Sequence, residues 1–182
     1  MPNDFQQVVF RGTPHCIAAV LSGGRSFRHN WRGEYMWNEI ADEEDLNSFM
    51  DAMYGFHDSC VKEIKYISGA YVEETLSMFP INNRRILSVI IQRQFKNPSV
   101  IEMQFMGLKY LRLFPNDENY TSEILDATMI IKEDRIYWCD CGGLSEKDIE
   151  SYTGTTICAS KVRWRAADEY IGPKEIYAAS QS

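Results

Sequence analysis

Between residues 60 and 114 the chain runs through four segments of strand character, joined in ways that favour antiparallel pairing. "CVKEIKYI" (60–67) interleaves β-branched and aromatic residues with charge, and Ser68-Gly69 closes it. "RRILSVIIQRQF" (84–95) is nearly apolar in its middle and reads as a central strand. After the turn signal Asn97-Pro98, "VIEMQF" (100–105) alternates cleanly, with Ile101, Met103 and Phe105 on one face and Glu102 and Gln104 on the other. "LKYLRLF" (108–114) follows Gly107. A parallel sheet needs crossover helices, and the connections between strands are too short to hold them.

Around this strand-rich centre the pattern predicts two helices. The first spans about 43–54, with Asp42 as N-cap, Asp45 in a capping-box relation to it, and Glu43 and Glu44 on the positive end of the helix dipole. Leu46, Phe49, Met50 and Met53 form its apolar stripe, and Gly55 stands where a left-handed residue ends a helix. The second spans about 146–152, capped by Ser145 with Asp148 three residues on, and Leu144 and Ile149 in staple positions. "ILDATMIIKEDRIYWCDC" (124–141) reads as a hairpin about Glu133-Asp134. "TICASKVRWRA" (156–166) reads as one last strong strand, and "EYIGPKEIY" (169–177) as an edge strand. In residues 1–35 "QQVVF" and "CIAAVL" offer two further strands, in the least legible part of the chain. The expectation is a single α+β domain over 1–182: a largely antiparallel sheet of six to eight strands with two helices.

Composition narrows the function classes. The chain has 182 residues, 45% hydrophobic and 25% charged, enough to bury a core without disulfide or metal support. No apolar run approaches the ~18 residues of a membrane span, and "CIAAVL" is too short for a signal-peptide core. Five cysteines are an odd count, and Cys139 and Cys141 are too close to pair comfortably, which fits reduced thiols in a cytoplasm. A net charge of -7 disfavours nucleic-acid binding, which depends on Lys and Arg, and suits a basic partner or plain solubility.

The densest cluster of reactive side chains is "GFHDSC" (55–60). One reading makes it a helix-to-strand junction: Phe56 anchors the helix end, His57 and Asp58 satisfy backbone groups, and Cys60 is a small buried hydrophobe. The other joins His57 and Cys60 to Cys139 and Cys141 as a tetrahedral zinc site, with Gly142-Gly143 turning about the ion. C-x-C is a weaker pattern than C-x-x-C, and there is only one such pair, so the junction is preferred and no cofactor is expected. No G-x-S-x-G elbow or phosphate loop is present, and "SGGR" (22–25) reads as a turn. Arg163 and Arg165, with Lys161, share one face of their strand opposite Val162 and Trp164. That stripe could bind an anion, but in an acidic chain it reads better as a solvated face matched by carboxylates, with Trp164 in the core. The aromatic-rich "FRHNWRGEYMW" (27–37) has the composition of a protein-binding surface.

A helix ending in "GFHDS", the strand "CVKEI" and a meander of antiparallel strands resemble small bacterial proteins with a Phe/Leu-His-Asp-Ser motif, here Phe56 to Ser59. Some proteins of that kind are grouped with the immunity proteins of polymorphic toxin systems; "VRWR" (162–165) is a weaker echo. The resemblance covers about residues 42–166 in element order and implies a cytoplasmic binding protein without catalysis. No residue role transfers from it. The expectation is a non-enzymatic binding protein, in its sharpest form an immunity-type inhibitor of a basic protein. The alternative is a small metal-dependent or ligand-binding enzyme using His57, Asp58, Cys60, Cys139 and Cys141.

Overall fold

A computed structural model describes residues 36–177. The strands expected at "QQVVF" and "CIAAVL", the "SGGR" turn and most of the stretch 27–37 lie outside the described residues.

The first strand, β1 (Asn38–Ile40), leads into α1 (Glu43–Ala52). The Asp42 side chain accepts from the Asp45 amide at 2.9 Å, and Asp45 accepts in turn from the Ala41 amide at 3.0 Å. One orphan donor of the first turn is thus satisfied, and the Asp45 side chain reaches back to hold the residue before the cap. Leu46, Phe49 and Met53 are buried, so the expected apolar stripe is the face that packs. The helix closes at Met53 and a short 3-10 turn (Tyr54–Phe56) follows, with Gly55 at φ 60°.

After it come β2 (Ser59–Ile67), β3 (Tyr71–Val72), β4 (Met78–Phe79), β5 (Ile86–Arg93), β6 (Val100–Met106) and β7 (Tyr110–Arg112). Then follow β8 (Thr128–Lys132), β9 (Arg135–Cys139), β10 (Thr156–Ala159) and β11 (Lys161–Ala166). They form a five-stranded sheet in the order β1-β11-β6-β5-β2, a four-stranded sheet in the order β7-β10-β9-β8, and the β3-β4 hairpin. Every pairing is antiparallel. The single sheet of six to eight strands is therefore corrected to eleven strands in three sheets among the described residues. No helix among them is long and apolar enough to cross a membrane.

The two larger sheets enclose one core. Leu87, Val89 and Ile91 of β5 and Ile101, Met103 and Phe105 of β6 meet Met129, Ile136, Trp138 and Ile157 of the second sheet, with Phe49, Met53 and Phe56 joining them. The alternation read from "VIEMQF" is the one found: its apolar side faces this core.

"TICASKVRWRA" is two strands rather than one. β10 pairs with β7 in the second sheet, and β11 pairs with β6 in the first. The two-stranded ribbon thus begins in one sheet and ends in the other, bending at Gly107 and Ser160, a device by which strands switch sheets. Gly107 has φ 63°, and a Cβ there would lie 3.2 Å from the Ser160 side chain. Gly107→Ala is accordingly expected to cost about 1–2 kcal/mol, from the left-handed backbone and the contact together. In urea unfolding, Ser160→Gly on that background is expected to restore only the contact part, since the backbone strain remains.

Two further expectations are corrected. Residues 146–152 form successive turns, not a helix: the Ser145 carbonyl accepts from the Asp148 and Ile149 amides, and the Asp148 carbonyl from those of Ser151 and Tyr152. The seven-residue segment, bracketed by Gly142-Gly143 and Gly154, is too short to repay helix nucleation. Leu144 and Ile149 nonetheless pack together on the outward face of the second sheet. The expected edge strand 169–177 is a 3-10 turn (Asp168–Tyr170) and then a strap without a ladder, broken at Gly172-Pro173.

Candidate functional site

The motif at 56–60 sits on a turn built almost wholly from left-handed backbone. Tyr54, Gly55, Phe56 and Asp58 all have positive φ, from 52° to 66°. For the three that are not glycine this conformation costs energy, and the packing must hold it. Phe56, fully buried, supplies the anchor: its ring lies 5.6 Å from Phe49 and 5.9 Å from Trp138, edge-on to both. The Gly55 carbonyl accepts from the Ala127 amide at 2.8 Å. A Cβ on either Gly55 or Gly142 would collide with the carboxylate of Asp126, so both glycines make room for that one side chain.

Around this anchor the polar groups of the motif make short-range bonds. His57 Nδ1 lies 2.9 Å from Asp58 Oδ1, with both side chains partly open to solvent. Ser59 Oγ donates to the His57 carbonyl at 3.2 Å, and the Asp58 carbonyl accepts from the Gln94 amide at 2.9 Å. Tyr54, exposed, stacks flat on Phe95 with centroids 4.9 Å apart. The guanidinium of Arg93 lies 5.4 Å from the same Phe95 ring and donates through Nη1 to the Pro98 carbonyl at 3.0 Å. Arg93 is buried, and its Nε and Nη2 have no hydrogen-bond partner among the described residues. Burial lowers its pKa, partly opposed by Tyr54 and Asp168.

The zinc arrangement is not assembled. Cys60 pairs across β2-β5 with Gln92, whose side chain bonds the C-terminal strap on the outward face of the first sheet. Cys60 is thus half-buried on that face and not in the core, contrary to the junction reading. Cys139 packs with Tyr137, Ile149 and Cys158 on the outward face of the second sheet. The two thiols face away from the shared core on opposite sides of it, and among the described residues no group of three or more His, Cys, Asp or Glu could hold a metal ion. Burial pushes the thiols of Cys139 and Cys158 up from their ordinary value. Alkylation of the native protein at about pH 8 is therefore expected to label Cys60 and Cys141 and to spare Cys139 and Cys158 until the chain is unfolded, as peptide mass spectrometry would read.

Arg163 and Arg165 face outward from β11, while Trp164 turns inward to lie 5.2 Å from Phe49. Arg165 donates to Glu102 at 2.8 and 2.5 Å; Arg163 donates to Gln104 at 3.0 and 2.7 Å. Both guanidinium groups lie over the Trp37 ring, at 4.3 and 5.1 Å from its centroid. Among the described residues Arg165 meets a carboxylate, whereas Arg163 meets an amide. The strap covers part of this face: Glu63 accepts from the Ile176 and Tyr177 amides at 2.7 and 2.8 Å, and the Tyr177 hydroxyl reaches Glu102 at 3.4 Å. Burial, and then Glu102, raise the Tyr177 pKa. The basic stripe is tied into a polar row across the sheet.

Two features went unread in the sequence. One is the arm between β2 and β5. β3 and β4 pair through Tyr71↔Phe79 and Val72↔Met78, with the Tyr71 and Phe79 rings stacked at 5.1 Å. None of its residues joins a core cluster, and Leu76 and Met78 are 83% and 70% exposed, with Tyr71, Val72 and Ile81 more than half exposed. Glu73 and Glu74 occupy its tip, where the Glu73 carbonyl accepts from the Leu76 amide at 2.9 Å. The other is a cleft on the outward face of the second sheet, lined by Tyr110, Arg112, Arg135, Tyr137 and Glu150. The run of apolar residues in "AYVEETLSMFPI" (70–81), without the period of a buried helix or strand, was the available signal for the arm. No signal short of the strand register could have joined 110–112 to 135–137. A comparison of the chain with protein-family models, with curated proteins and with solved structures finds no match.

Proposed function

We propose that the protein is a non-enzymatic binding protein that engages a basic protein through the β3-β4 arm, an immunity-type inhibitor of a basic toxin being the sharpest form of this reading. The observation that supports it is the arm itself. Leu76, Met78, Tyr71, Val72 and Ile81 stand exposed on one short hairpin that adds nothing to the core. Exposed apolar side chains that the core does not use mark interaction sites, and Tyr and Met are among the residues that interfaces favour. The charge supplies the partner's chemistry. Glu73 and Glu74 crown the arm, and the chain carries 26 acidic against 19 basic residues, so a basic surface is steered toward it.

The test is affinity isolation of the tagged chain from its source cells at low and at high salt. A basic protein retained in stoichiometric amount at low salt and released at high salt supports the reading. Retention of an acidic protein, salt-insensitive retention, or a stable homodimer through the arm overturns it.

A further inference from the structure

On the outward face of the second sheet the strand register sets Tyr110 of β7, Cys158 of β10 and Tyr137 of β9 side by side, because Cys158 pairs with both tyrosines. The small cysteine between two phenol rings leaves a notch. Arg112 stands two residues beyond Tyr110 on the same face of β7, and Arg135 two residues before Tyr137 on the same face of β9, so the two guanidinium groups flank the notch diagonally. Glu150 closes the wall, and together the five side chains line a cleft of about 300 Å³.

We infer that this cleft is a binding site for a small oxyanion, a carboxylate or phosphate group on a ligand of few non-hydrogen atoms. Two guanidinium groups and the Tyr110 hydroxyl, all hydrogen-bond donors, line it together with Tyr137. The one carboxylate in the wall is already engaged: Glu150 Oε1 lies 3.2 Å from Lys132 Nζ. Arg112 donates through Nη1 to the Tyr152 carbonyl, which fixes the guanidinium, while its Nε and Nη2 bond no described residue. Arg135 keeps company with Asp134 at 3.7 Å, too long for a well-formed bond, and with the Tyr137 hydroxyl. Burial raises the pKa of both tyrosines; the Tyr137 hydroxyl is already bonded to Arg135 and Cys158, which leaves the Tyr110 hydroxyl as the phenol donor facing the cleft. The volume sits at the low end of ligand pockets, about 300–1,000 Å³, which sets the ligand's size. The inference is independent of the arm, with which the cleft shares no residue.

The experiment is titration of the full chain with inorganic phosphate, and separately with acetate, at ionic strength held constant with chloride, read by calorimetry and by amide chemical shifts. Saturable binding of one probe, with shifts centred on residues 110–112 and 135–137, is expected. Arg112→Gln and Arg135→Gln are each expected to weaken it about tenfold, the scale of one charge-assisted hydrogen bond. Glu150→Gln is expected to tighten it about twofold to fivefold, by removing like charge from the wall. Tyr110→Phe, which keeps the packing and removes one donor, serves should an arginine variant fail to fold, and is expected to weaken binding about threefold. Preference for phosphate identifies a tetrahedral anion, and preference for acetate a planar one. Absence of saturable binding by either probe, or affinities unchanged in these variants, overturns the inference.

Discussion

Replacing Leu76 and Met78 together by serine is expected to leave the unfolding free energy within about 0.5 kcal/mol of the parent and to weaken capture of the partner about 30-fold to 700-fold. The two halves of this expectation rest on the same fact. Both side chains are exposed on the arm and touch no core cluster, so the folded state loses almost nothing when they are cut back. An interface anchored on them loses two apolar contacts that are desolvated only in the complex, at about 1–2 kcal/mol each and about 1.4 kcal/mol per tenfold in affinity. Urea unfolding and a binding titration on the same preparation check the two halves. A variant that unfolds earlier would make the arm part of the fold, and unchanged capture would move the partner's footprint elsewhere.

Phe56→Ala is expected to act in the opposite way, lowering the unfolding free energy by about 3–5 kcal/mol. Phe56 is fully buried between Phe49 of α1 and Trp138 of β9, so it ties the helix to the second sheet. It also holds four residues of positive φ in place, and with the ring gone that strain has nothing opposing it. Phe56→Leu, which retains most of the volume, is expected to cost roughly 1–2 kcal/mol. Denaturant unfolding of the three proteins checks the order. A loss below about 1 kcal/mol for the alanine variant would mean that the turn is held by its backbone bonds, chiefly those to Ala127 and Gln94.

What the sequence disclosed and what it hid follow from the range of the forces involved. α1 was legible because cap and stripe lie within twelve residues, from Asp42 to Met53, and agree. Gly55 marks its end too late: Met53 is the C-cap, and the left-handed residue after it is Tyr54 rather than Gly55. β5 and β6 were legible for the same reason: Leu87 to Ile91 and Ile101 to Phe105 carry their burial in their own pattern. The break at Ser160 was hidden, because nothing in "TICASKVRWRA" departs from strand composition. The break is set by partners about fifty residues away, β7 for the first half and β6 for the second, which lie in different sheets. The segment 146–152 carried real capping chemistry, and Ser145 Oγ does bond Asp148, yet the bond closes a turn because too few residues follow to build a helix. β1, β3 and β4 span two or three residues each, too few for any alternation to register. The candidate site divided likewise. His57, Asp58 and Ser59 are partners of one another and of adjacent backbone, as a local motif would be. The separation of Cys60 from Cys139 depends on which sheet each strand joins, a property of topology that spacing does not encode.

One quantity bears on the proposed function above all others: the rate at which the isolated partner associates with the chain, followed by stopped flow as ionic strength rises. Electrostatic steering toward an acidic arm on a chain of net charge -7 predicts an association rate that falls by about tenfold or more between low salt and a few hundred millimolar, while dissociation changes little. An association rate that stays flat across that range would contradict recognition of a basic partner by charge.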